Sequence, residues 1–364
     1  MKVPFLDLGA ASAPIQPGIE AALLRAARSG YFIGGPELEQ FEAAFAAYLG
    51  APHCLGVANG LDALYLGLRA MGIGPGDEVI VPGNTYIATW LAVSQCGAVP
   101  VPVEPREDTY NLNADAVAAA ITARTRAILP VHLYGQPADM DGLNAVAAQY
   151  GLQVLQDAAQ AHGASYKGQK VGVSGTCTWS FYPSKNLGAL GDGGALTTGD
   201  ATIAEAVNLL RNYGSAVKYE NEVKGVNSRL DPLQAAVLGV KLEALDKATK
   251  RRREIAAQYS AAFAKARLDH PVVPEWADPV WHLYVVRHAQ RDAFQRRLAD
   301  AGIGTVIHYP IPPHLQKAYA DAGHAPGNLP LSERLAREVL SLPMCPAQTD
   351  AQTEYVIDRV IALS

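Results

Sequence analysis

The sequence predicts an α/β protein, a largely parallel sheet with helices on both faces in a large domain over residues 1–240, with a smaller α/β domain over 241–364. From about residue 53, short apolar stretches ended by turn signals alternate with helix-length amphipathic stretches, and that alternation favours a parallel sheet. The chain has 364 residues, more than one compact domain usually holds. A long helical pattern from Asp231 to Ala266 connects this region to a different mixture of strand and helices.

Two helices precede the alternating region. One ends near Gly30, and the other runs from Pro36 to Leu49 with proline in its first turn and Gly50 just past its end. The strand Cys54 to Ala58 leads into the helix Leu61 to Met71, Glu78 to Pro82 into Thr85 to Cys96, and Arg126 to Val131 into Asp139 to Tyr150. Leu152 to Asp157 and Cys177 to Tyr182 continue the strands, and the chain turns helical after Gly199. Beyond the long helix come a strand from Trp281 to Arg287, a helix from Arg291 to Gly302 and further helices. The uncharged run Val79 to Val103 is divided by Pro82, Gly83, Asn84, Gln95, Gly97, Pro100 and Pro102, so it reads as strand, turn, helix and strand rather than as a membrane span.

Composition excludes several classes. Apolar residues make up 49% and charged residues 18%, near globular averages. A net charge of −5 is spread without a basic block, so nucleic acid is not an expected partner. Lys250 to Arg253 reads as a solvated helix face. Cys54, Cys96, Cys177 and Cys345 form no paired motif, and reduced, mostly buried thiols with no metal site are expected. With no secretory pattern after Met1, a cytoplasmic protein is expected.

Two positions carry chemistry. Asp157 closes the apolar strand Leu152-Gln153-Val154-Leu155-Gln156, so its carboxylate emerges where parallel sheets bind ligands. Taken alone, such a residue is more often a helix cap or turn former. Lys185 follows the next strand, among Phe181, Tyr182, Pro183 and Leu187. An apolar setting lowers the proton affinity of an amine and makes it nucleophilic.

At these residues the chain resembles the DegT/DnrJ/EryC1/StrS family of sugar aminotransferases. The resemblance also includes Val3 to Leu8, Ser29 to Pro36, Asn59 to Leu64, Asp157 to Gly163, Gly188 to Gly194 and Asn227 to Asp231. It implies an aspartate-aminotransferase-like fold (fold type I), with a mostly parallel seven-stranded sheet and a smaller C-terminal α/β domain. It also implies pyridoxal 5′-phosphate as cofactor, held as a Schiff base by Lys185, which doubles as the general base. By the same resemblance, Asp157 keeps the pyridine nitrogen protonated. Gly60, Leu61 and Ser180 hold the phosphate, Leu61 standing where many members have threonine. Tyr86 stacks on the ring, Gln160 lies near its phenolic oxygen, and Asn227 reaches the phosphate of a partner subunit in a homodimer. His162 is expected to support Asp157 by a hydrogen bond. Tyr182, Tyr213, Lys218, Tyr219, Arg229, His308, Tyr309 and His314 are expected to meet the acceptor, where cationic and aromatic groups suit a nucleotide diphosphate.

The segment Phe181 to Asn186 most resembles members that aminate carbon 3 of a keto sugar, because members acting at carbon 4 tend to have histidine near the position of Tyr182. The expected reaction moves an amino group from glutamate, leaving 2-oxoglutarate, to a dTDP-linked 3-keto-6-deoxyhexose. Amination at carbon 4, an aminohydroxybenzoate-synthase-like dehydratase and a regulatory cofactor-binding protein stand as alternatives. Retention of Lys185, Asp157, Gln160 and Ser180 together argues against the last.

Overall fold

The computed structural model describes all 364 residues. Seven strands form the central sheet: β1 (His53–Val57), β2 (Glu78–Pro82), β3 (Val99–Val103), β4 (Thr125–Ile128), β5 (Gln153–Asp157), β6 (Thr176–Ser180) and β7 (Gly194–Thr198). Their order is β1-β7-β6-β5-β4-β2-β3. Only β7 runs against the others, pairing antiparallel with β1 and β6. The run Val79 to Val103 is strand, helix and strand, as its prolines and glycines predict.

Several boundaries differ from expectation for local reasons. Regular pairing in β4 stops at Ile128, two residues before Pro130, which has no N–H to give a ladder. Pairing resumes only as an isolated bridge from Val131 to Asp157. The strand expected from Trp281 starts at Tyr284, because Trp281 sits at φ 50°, outside the extended region.

The helix Pro36–Leu49 ends on Gly50 at φ 78° and buries Leu38, Phe41, Phe45 and Leu49. Phe41 and Phe45 meet Phe181 edge-on at 5.4 and 5.5 Å, and Phe45 meets Trp179 at 5.3 Å. This aromatic cluster backs the segment that follows β6, the one that carries Lys185.

The helix Pro232–Ala266 has 35 residues, a length of about 52 Å at helical rise. Leu238, Leu242 and Leu245 pack into the core of the sheet region. Ile255, Ala256, Tyr259 and Phe263 pack into a second core with Tyr284, Phe294, Leu340 and Val356. The change of core falls between Leu245 and Ile255, so the division expected at residue 240 lies inside this helix. Val3, far away in sequence, packs into the second core. Strands Tyr284–Arg287 and Val339–Leu342 pair antiparallel there.

Lys250 to Arg253 is not a solvated face. Arg252 is buried and donates to the carbonyls of Met344 at 2.6 Å and Trp281 at 3.2 Å. Arg251 donates to the Gln348 carbonyl at 2.7 Å, and Arg253 to the Pro279 carbonyl at 3.0 Å. These arginines fasten the long helix to the C-terminal part of the chain. All four cysteines are free and buried, and no helix is long and apolar enough to cross a membrane.

Candidate active site

A cavity of about 550 Å³ opens at the carboxyl ends of β5 and β6, the edge where parallel sheets bind ligands. Asp157, Lys185, Ser180, Gly60, Leu61, Gln160, Tyr86, Tyr182, His308 and Tyr309 all line it. The structure therefore brings ten of the expected residues into one wall.

Asp157 is 6% exposed. Its Oδ1 accepts from the Ala159 N–H at 3.1 Å and its Oδ2 from the Thr89 hydroxyl at 3.0 Å. Burial pushes the carboxyl above its usual range, against the Ala159 N–H, the Thr89 hydroxyl and the charge of Lys185. No side-chain cation forms an ion pair with it. A buried carboxylate needs a countercharge, and a protonated pyridine nitrogen meets that need. Lys185 is half-buried and its amine is pushed down to about 8, chiefly by burial and against the pull of Asp157. Of the apolar neighbours expected to lower it, Phe181 and Leu187 are buried in the core behind the segment and do not line the cavity, whereas Tyr182 does.

Opposite this pair lies a place for an anion. The helix Gly60–Ala70 is capped by Asn59, whose Oδ1 accepts from Asp62 N at 2.9 Å. That leaves the first N–H groups, of Gly60 and Leu61, without partners inside the helix, and they suit a phosphate. The Ser180 Oγ accepts from Tyr182 N at 3.3 Å, so its own proton is free to donate to the same anion. A Cβ on Gly60 would come within 2.6 Å of the Ser180 Cβ. Gly60→Ala is expected to strain this cradle by about 1–3 kcal/mol. In equilibrium dialysis of the apo-protein that strain should appear as a roughly tenfold or greater rise in the Kd of pyridoxal phosphate.

Tyr86 stands at the mouth with its ring 5.3 Å from that of Tyr309. Gln160 accepts from Tyr134 N at 2.6 Å and donates to the Tyr309 hydroxyl at 3.1 Å. His308 is held by Ser341 Oγ at 2.8 Å and by the Tyr134 hydroxyl on its carbonyl at 2.6 Å. Burial and the charge of Lys185 push the His308 imidazole down to about 4. It is therefore a neutral residue of the wall, able to offer hydrogen bonds rather than charge.

Two expectations fail. His162 does not support Asp157: it is fully buried against Trp179 and Phe181, and both ring nitrogens lack partners. Thr89 occupies the supporting role instead. His314 is not in the cavity wall. It is 2% exposed, with Nε2 3.2 Å from the carboxylate of Glu333, which also accepts from Gly327 N. This histidine pins the loop that precedes the helix Pro330–Glu338.

Asn227, Tyr213, Lys218, Tyr219 and Arg229 lie outside this cavity. Tyr213 and Tyr219 are exposed, beside the short hairpin of Ser215–Val217 and Glu220–Asn221. Arg229 donates to Asn212 at 2.9 Å and lies over the Tyr213 ring. Sequence reasoning missed His282 and Asn186, whose Nδ1 and Oδ1 lie 3.3 Å apart. Asn186 Nδ2 donates to the Val280 carbonyl at 3.0 Å, which turns its amide oxygen to His282, so the Nδ1–H of the buried imidazole donates to that oxygen and fixes the residue next to Lys185.

With a lysine and an unpaired buried aspartate meeting at the carboxyl edge of this sheet, the molecule takes its place among the pyridoxal-phosphate enzymes of fold type I. The profile of the DegT/DnrJ/EryC1/StrS aminotransferase family matches residues 15–361, and the chain belongs to that family. It is 53% identical over 361 residues to the dTDP-3-amino-3,4,6-trideoxy-alpha-D-glucose transaminase of Streptomyces venezuelae, covering 99% of this chain and 95% of that one. It is also 53% identical to the dTDP-3-amino-3,6-dideoxy-alpha-D-galactopyranose transaminase of Aneurinibacillus thermoaerophilus, over 98% of both chains. The crystal structure of S. venezuelae DesV superposes with a TM-score of 0.98, covering 99% of this chain and 98% of that one at 53% identity. The chain is a pyridoxal-phosphate-dependent sugar aminotransferase.

Proposed function

We propose that the protein transfers an amino group from glutamate to carbon 3 of a dTDP-linked 3-keto-6-deoxyhexose, as a cytoplasmic homodimer with shared active sites. The observation that carries this reading is that Lys185 and Asp157 line one cavity walled by Tyr86, Tyr182 and Tyr309. The transaminase activities for which the relatives from S. venezuelae and A. thermoaerophilus are named support the sugar and the position.

Pyridoxal phosphate, when bound, supplies the electron sink that lets a C–H bond beside nitrogen ionise. Gly60 and Leu61 N–H groups and the Ser180 hydroxyl hold the phosphate, and Asp157 keeps a proton on the ring nitrogen. Tyr86 would offer its ring to the cofactor and Gln160 its amide, both from the cavity wall. Lys185 carries the proton between carbons, a task suited to an amine poised near 8. Tyr182, His308 and Tyr309 present aromatic and hydrogen-bonding surface to the sugar and base.

The exposed Tyr31, Phe32 and Ile33 support a partner subunit that covers them. Asn227, Tyr213, Lys218, Tyr219 and Arg229 then serve the partner's cavity. The two packing cores support a large and a small domain, joined along the helix Pro232–Ala266.

A paired screen tests the substrate. Holoenzyme, glutamate and nucleotide-linked 3-keto or 4-keto hexoses are combined, and the products are analysed by NMR. Nitrogen on carbon 3 is expected. An amine on carbon 4, or an aromatic product from an aminodehydroshikimate, would contradict the reading.

A further inference from the structure

We infer that the hydroxyls of Thr85 and Thr89 form a polarised relay that keeps the proton shared by Asp157 and the cofactor's ring nitrogen on the nitrogen, an inference that rests on Asp157 being that nitrogen's partner. Thr89 is a positioning residue acting through Asp157, and Thr85 acts through Thr89.

Two hydrogen bonds carry the inference. The Thr89 hydroxyl donates to Asp157 Oδ2 at 3.0 Å, and Thr85 Oγ1 lies 2.9 Å from Thr89 Oγ1. Each hydroxyl owns one proton. An ionised carboxylate only accepts, so the Thr89 proton is committed to Asp157. The proton between the threonines must then come from Thr85, and the whole chain points at the carboxylate. A protonated Asp157 would instead donate to Thr89 and reverse the chain. The relay thus distinguishes the two protonation states.

It also favours one of them. A hydrogen bond to a charged oxygen is stronger than one between neutral groups, and a donating neighbour polarises the hydroxyl further. Thr85 and Thr89 are 2% and 1% exposed, which leaves little room for water to replace either donor. Lowering the proton affinity of Asp157 leaves the shared proton on the ring nitrogen. Burial acts on Asp157 in the opposite sense, and the Ala159 N–H, Thr89 and Lys185 oppose it. Both threonines flank Tyr86, so one short segment sets the stacking face and the relay together.

The test uses holoenzyme loaded with cofactor carrying ¹⁵N at the ring nitrogen, whose NMR shift separates the protonated from the unprotonated state. Thr89→Val is expected to move the signal toward the unprotonated value and to raise the cofactor Kd on the order of tenfold. Thr89→Ser, which restores the hydroxyl, should keep the wild-type signal. Thr85→Val, at the cavity wall, should shift it in the same direction by less, and it carries the test if Thr89→Val does not fold. A wild-type signal in both valine variants overturns the relay, as does a Thr89→Ser signal displaced as far as that of Thr89→Val. Asp157→Asn separates the two levels. If Asp157→Asn shifts the signal and the valine variants do not, the relay alone is lost. If Asp157→Asn leaves it unchanged, the assignment of Asp157 falls as well.

Discussion

Lys185→Ala is expected to lower turnover roughly 10⁴-fold, the upper end of what a positioned proton-transfer group contributes, and to abolish the covalent hold on the cofactor. No second amine can take over, because Lys185 is the only lysine in the cavity wall. Burial lowers its proton affinity to about 8, and only the neutral amine is nucleophilic. Covalent uptake of pyridoxal phosphate by the apo-protein should therefore quicken as pH rises toward 8 and level off above it. Stopped-flow absorbance checks both points. A variant that retains the visible band of the linked cofactor and turns over within tenfold of wild type would be incompatible with the site described.

Asp157→Asn is the second large effect. Asparagine keeps the shape and can still accept from Thr89, but it carries no charge. Removing one member of a buried ion pair costs about 3–5 kcal/mol, on the order of 10²–10⁴ in rate. Steady-state kinetics should show the loss mainly in kcat, because the phosphate contacts proposed at Gly60, Leu61 and Ser180 would still bind the cofactor. A loss confined to KM for the sugar would place Asp157 in substrate binding instead.

Lys185 and Asp157 were legible in the sequence because each ends or follows an apolar strand in an alternating pattern, and that position alone brings them to the ligand edge. Gly60 and Leu61 were legible for a similar reason: the Asn-Gly turn opens a helix. Thr89 was not. A threonine inside a helical pattern gives no sign of its direction, and its contact with Asp157 depends on how the helix Ile87–Gln95 packs against the helix Gly60–Ala70 and the strands β2 and β3. His162 and His314 were misread because a histidine near a motif looks functional until its packing is known. Trp179 and Phe181 enclose the one, and Glu333 pins the other. Arg252 was misread from charge pattern, since the carbonyls that bury it come from Trp281 and Met344, remote in sequence. Local pattern thus revealed which strands and helices form and in what order, while long-range packing moved some of their ends and decided which polar groups meet there.

The most direct measurement is peptide mass spectrometry after borohydride reduction of the holoenzyme. Reduction makes the link between amine and cofactor permanent. The predicted result is a single phosphopyridoxyl mass on the peptide that contains Lys185 and none on any other lysine. The mass on a different lysine, or on no peptide of a protein that holds its cofactor, would contradict the assignment of Lys185.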